Sequence, residues 1–86
     1  MITFIYTVEH ASDKRGYNRT VNVWRIKNNK PLFVGYDDKI NTAAYKGDRA
    51  IASHIISKEC GYKMKDGYRL ASDKIQIFEI WDLVYF

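Results

Sequence analysis

Ile2-Thr3-Phe4-Ile5-Tyr6-Thr7-Val8 decides the fold class of this chain. Ile2, Phe4, Tyr6 and Val8 fall on one side of an extended backbone, and Thr3 and Thr7 fall on the other. That alternation is the signature of a half-buried β-strand. A polar stretch from Ala11 to Asn18 reads as a loop, and Thr20 to Ile26 reads as a second strand. Val21 and Val23 share one of its faces, and Trp24 and Ile26 share the other. Asn28-Asn29-Lys30-Pro31 predicts a tight turn, because asparagine tolerates the left-handed conformation that a hairpin needs. Leu32 to Tyr36 then forms a third strand.

One helix follows a loop that begins at Asp37. Ile51, Ala52, Ile55 and Ile56 recur at helical spacing, Ser53 and Ser57 face roughly the other way, and Gly61 supplies the stop. Thr42 and Asp48 are both candidate N-caps, because Gly47 interrupts the first turns. Beyond the helix, Asp66-Gly67 sits between short segments carrying Met64 and Leu70, a hairpin signal. Lys74 to Trp81 is the last strong strand, with an extension toward Val84. The expected architecture is α+β in a single domain over residues 1–86. Its order is β-β-β-α-(hairpin)-β, giving an antiparallel sheet of four to five strands with one helix packed on one face.

Composition narrows the functional classes. Hydrophobic residues make up 47% of the 86 positions and charged residues 28%, the balance of a folded domain. The net charge of +4 and a pI near 9.2 favour an acidic partner or nucleic acid. A lone cysteine, Cys60, cannot form an internal disulfide, and at the helix end it suits a small half-buried position. The amino-terminal residues lack a secretory pattern and no apolar run reaches membrane-spanning length, so a cytoplasmic protein with no membrane partner is expected.

No catalytic constellation stands out. His10 and His54, the only histidines, lack metal-ligand spacing, and His54 points off the apolar helix face toward solvent. Asp37-Asp38 is the only acidic pair and reads as a loop start. No phosphate-cradling glycine motif or nucleophile elbow is present. The expectation is a non-enzymatic protein with no cofactor and no metal.

Two basic clusters carry interleaved rings. Lys14, Arg15 and Arg19 surround Gly16 and Tyr17, and Arg25 and Lys27 extend that charge along the second strand. The second cluster is Lys63, Lys65 and Arg69, continued by Lys74, with Tyr62 and Tyr68 as stacking candidates. Cations for phosphates beside rings for bases are the ingredients of a single-stranded nucleic-acid surface. The predicted RNA-binding residues are Lys14, Arg15, Tyr17, Arg19, Arg25, Lys27, Lys63, Lys65, Tyr68 and Arg69.

Two resemblances bear on this expectation. Val21 to Cys60 is loosely similar to the β-β-β-α part of a double-stranded RNA-binding domain. Pro31-Leu32-Phe33-Val34-Gly35-Tyr36 stands at the third-strand entry, and Gly47 leads the helix. It departs from that family in having no leading helix, and in offering only Lys46 and Arg49 where the family has a Lys-Lys pair. As a whole, the short, basic, tyrosine-rich chain opening Met-Ile-Thr-Phe-Ile-Tyr resembles the small accessory proteins of T-even-type bacteriophages, among them the toxin-inhibitor family TifA. That resemblance implies counter-defence in an infected bacterium: RNA-dependent inhibition of the endoribonuclease toxin of a type III toxin–antitoxin system. Two other classes fit the sequence. One is a protein–protein inhibitor, such as an anti-CRISPR protein or host-takeover adaptor, contacting its partner through a sheet edge or the aromatic end Ile80 to Phe86. The other is a small structural or homodimer-forming domain.

Overall fold

The computed structural model describes residues 1–10, 19–37 and 47–81. Its elements are β1 (Ile2–His10), β2 (Arg19–Lys27), β3 (Lys30–Asp37), α1 (Asp48–Cys60), β4 (Met64–Asp66), β5 (Arg69–Leu70) and β6 (Ile75–Glu79). Strands β3-β2-β1-β6 form one four-stranded sheet, and β4-β5 form a separate two-stranded one. The α+β class, the single helix and the element order agree with the sequence reading.

Strand direction differs from it in one place. β1 to β3 pair antiparallel, but β6 runs parallel to β1, so the sheet is mixed. The reason is the connection. β3 occupies one edge and β6 the other, and the chain between them passes through α1 and the hairpin. A crossover of that length permits parallel pairing, which a tight turn cannot.

The apolar faces pack as their spacing dictates. Phe4, Tyr6, Val21, Val23 and Ile77 on the sheet meet Ile51, Ala52, Ile55 and Ile56 on the helix. Tyr62 closes one end of this core, its ring edge-on to Phe4 at 6.3 Å between centroids. Tyr62 is therefore a packing residue and not a free stacking platform. Burial pushes the Tyr6 hydroxyl pKa up, and the nearby Glu79 and Asp48 carboxylates add to that shift. Asn28 and Asn29 both take positive φ, 54° and 61°, which is what the β2–β3 turn requires.

The helix ends as expected and begins otherwise. Gly61 adopts the left-handed conformation, φ 78°, and its N–H donates to the Ser57 carbonyl. Gly47 is the N-cap, with no side chain capping the first turn, and Asp48 lies inside that turn. There its carboxylate faces the positive end of the helix dipole. Thr42 lies outside the described residues. Ser53 is buried, its hydroxyl donating to the Arg49 carbonyl at 3.0 Å, and does not face solvent. Cys60 is exposed, not half-buried.

Gly35 sets how closely β3 approaches the helix. A Cβ there would stand 3.2 Å from Ile55 Cγ2 and 3.2 Å from Glu59 Cγ. Glu59 can swing away, but Ile55 is held in the core. Gly35→Val is expected to destabilise the fold by about 1–3 kcal/mol through overpacking, as read from the urea midpoint. An unchanged midpoint would mean that α1 does not lie on β3 in this way.

Candidate nucleic-acid interface

The face of the sheet turned away from α1 carries a row of large apolar side chains. Phe33, Trp24, Ile5 and Phe78 are register partners across all four strands, in the order β3, β2, β1, β6. Trp24 and Phe33 pack edge-to-face with centroids 5.7 Å apart. Ile5 is covered, only 3% exposed, whereas Phe33 and Phe78 are 58% and 51% exposed.

Tyr36 joins this row through an irregularity in β3. Phe33 and Tyr36 are three residues apart, so strict alternation would place them on opposite faces. The register shifts between Val23 and Trp24: Val23 pairs with Gly35 and Trp24 with Phe33, leaving Val34 as an extra residue. That bulge turns both rings to the same face. They stack with centroids 6.5 Å apart and planes 29° from parallel, and Tyr36 is 60% exposed. Sequence reading missed Trp24, Phe33, Tyr36 and Phe78 as a group. The available signal was large apolar residues on both faces of the strands.

Arg25 pairs across from Phe4 on the helix-facing side, is half-buried and lies near Cys60. Burial raises the Cys60 thiol pKa, and Arg25 partly offsets the rise. Lys27 is exposed at the β2–β3 turn. The register partners on the ring-bearing face include no Lys or Arg. Lys14, Arg15 and Tyr17 lie outside the described residues; Arg19 opens β2, its backbone paired with His10.

The second predicted cluster does assemble, on the hairpin. Lys63 and Lys65 are exposed on and before β4, Tyr68 is half-buried, and the Arg69 guanidinium lies 5.2 Å over the Tyr68 ring centroid. Asp66 organises the turn. Its Oδ1 accepts the Tyr68 and Arg69 backbone N–H groups at 3.2 and 3.0 Å, while its Oδ2 accepts Arg69 Nε and Nη2 at 3.0 and 2.9 Å. Desolvation opposes ionisation of this carboxyl, but the Arg69 and backbone hydrogen bonds outweigh it and hold the pKa below the usual carboxylate value. The hairpin turn is tied to α1 by His54, whose Nε2 lies 2.6 Å from the Gly67 carbonyl oxygen. Because a carbonyl only accepts, that nitrogen carries the proton. His54 is thus half-buried and engaged with the hairpin at the surface, not wholly exposed.

The aromatic end enters the described residues only as Ile80 and Trp81, and Trp81 is 91% exposed. Its remainder, from Asp82 to Phe86, lies outside them, as does Asp38 of the acidic pair. Among the described residues, no cluster of three or more His, Cys, Asp or Glu side chains gathers, and no helix is long and apolar enough to cross a membrane. Comparison with protein-family models, with curated proteins and with solved structures gives no match.

Proposed function

We propose that this chain is a non-enzymatic RNA-binding protein whose open sheet face stacks unpaired bases. The observation that supports this reading is the row of Phe33, Trp24 and Phe78, with Tyr36 beside it, on the face away from the helix. Unpaired bases are recognised by stacking on exposed rings, and a sheet presents those rings at a spacing a single strand can follow. The net charge of +4 suits a polyanionic ligand. Following the resemblance to the TifA toxin inhibitors, the biological role is neutralisation of a host endoribonuclease toxin through a protein–RNA complex in the bacterial cytoplasm.

The competing reading is a protein–protein inhibitor, and one observation favours it. The paired strand positions of the ring-bearing face include no Lys or Arg, and depletion of charge is typical of the centre of a protein interface. Salt dependence separates the two. An RNA-binding surface loses affinity for a short unstructured oligoribonucleotide steeply as salt rises. No binding at low salt would move the assignment to the protein partner.

The hairpin cations give a graded prediction. If Lys63 and Lys65 meet phosphates, Lys63→Glu with Lys65→Glu lowers the slope of log affinity against log salt by about two, roughly one for each lysine–phosphate pair removed. An unchanged slope would remove the hairpin from the interface.

A further inference from the structure

A cleft of about 340 Å³ lies between the first half of α1, the β4–β5 hairpin and β6, on the side of the molecule opposite the ring-bearing sheet face. Its apolar lining comes from Leu70, Ile75 and Ile77, its polar wall from Arg49, Tyr68 and Arg69, and the exposed Ser72 lines it as well. This volume is at the lower end of the range that holds small organic ligands, about 300–1,000 Å³.

Both arginines are positioned before any ligand arrives. Arg49 Nη1 donates to the Ile77 carbonyl at 2.9 Å, and Arg69 is clamped by Asp66 through Nε and Nη2. A guanidinium has five N–H donors. Arg49 therefore keeps four and Arg69 keeps three beyond these bonds. Asp66 offsets one of the two charges, leaving a cleft that favours a ligand of low negative charge. The Arg69 guanidinium lies over Tyr68, so cation and ring share one wall. An apolar bed, one aromatic wall and forked donors together match a flat heterocycle joined to a phosphate.

We propose that this cleft binds a single nucleotide unit, its base between Tyr68 and the apolar bed and its phosphate on Arg49 and Arg69. The choice of ligand class rests on the RNA-binding reading, whereas the shape and donors of the cleft do not.

The test is a backbone-amide NMR titration of the whole protein with adenosine 5′-monophosphate, adenosine and inorganic phosphate. Saturable shifts at Arg49, Tyr68 and Ser72 are expected with the monophosphate, and adenosine and phosphate should each bind at least tenfold more weakly. Ser72→Trp fills the rim from an exposed position, and Arg69→Gln removes a donor fork. Each should weaken the monophosphate at least fivefold while the spectrum stays that of a folded protein. A 5′-phosphorylated oligoribonucleotide that moves the same amides at lower concentration would identify an RNA end as the occupant; weaker binding than the free monophosphate would identify a free nucleotide. Absence of saturable shifts, shifts elsewhere, or indifference to Ser72→Trp would overturn the proposal. Failure of the two readings is distinguishable: cleft shifts with no RNA response on the sheet face sink the RNA-binding reading alone, and the converse sinks the cleft alone.

Discussion

Phe4→Ala is expected to remove a large part of the fold's stability. Phe4 is fully buried near the start of β1, in the core shared with Tyr6, Val23, Ile51, Ile56 and Ile77, with the Tyr62 ring nearly perpendicular to its own. Truncating a buried phenylalanine costs about 3–5 kcal/mol, from the transfer energy forfeited and from the cavity left behind. A domain of this size has roughly 4–13 kcal/mol in total. The thermal midpoint should therefore fall by at least about 12 °C, given roughly 4–8 °C per kcal/mol in small domains. Circular dichroism melting provides the check. A fall of only a few degrees would mean that the core does not lie between this face of β1 and α1.

The opposite face of the same sheet should respond in the opposite manner. Phe33→Ala and Phe78→Ala remove rings that are half or more exposed, so the fold should survive with small losses. RNA affinity should not. Base–ring stacking contributes about 1–3 kcal/mol per base, so each substitution is expected to weaken a single-stranded oligoribonucleotide roughly 5- to 150-fold. The double variant should fall further while its melting curve stays cooperative. Conservative Phe33→Tyr keeps a stacking surface and should retain most of the affinity, which separates stacking from bulk hydrophobic contact. Undiminished affinity in the double variant would take RNA off this face. Loss of folding in either single variant would show that the rings hold the sheet and do not serve a partner.

Much of this architecture was legible, and the illegible parts have physical causes. Ile2 to Val8 alternates because one face of β1 meets a helix, and Val21 with Val23 reads the same way. The paired asparagines and Gly61 mark their turn and cap through conformations that few other residues adopt readily. The direction of β6 could not be read, since alternation is identical in parallel and antiparallel strands. Nor could the Val34 bulge, which inserts one residue without a composition signal and gives Phe33 and Tyr36 a common face. Ser53 reads as a solvent-facing residue by its chemistry, yet it stands three residues before Ile56 and three after Ala50, on their side of the helix. Its hydroxyl satisfies itself on the Arg49 carbonyl and so tolerates burial.

The arrangement of the candidate site was not legible in the sequence. Ring-and-cation composition gave two clusters, with the charge of Arg25 and Lys27 running along β2, and left open whether they share a side of the sheet. Register places Arg25 on the helix side, opposite Phe4, while Trp24 next to it faces the other way. Adjacent residues on a strand point to opposite faces, so a cluster close in sequence is divided in space. Among the described residues, the hairpin keeps its cations and its ring together, because a two-residue turn folds Asp66 and Arg69 into register.

The central claim is that the ring-bearing face meets RNA. Its most direct test is an NMR titration of the whole protein with an unstructured oligoribonucleotide at low salt, following the Trp24 indole N–H and the amides of Phe33, Tyr36 and Phe78. Binding that shifts these four positions together, and that reverses as salt is raised, is the predicted result. Binding that leaves all four unmoved, or no binding at all, would contradict the claim.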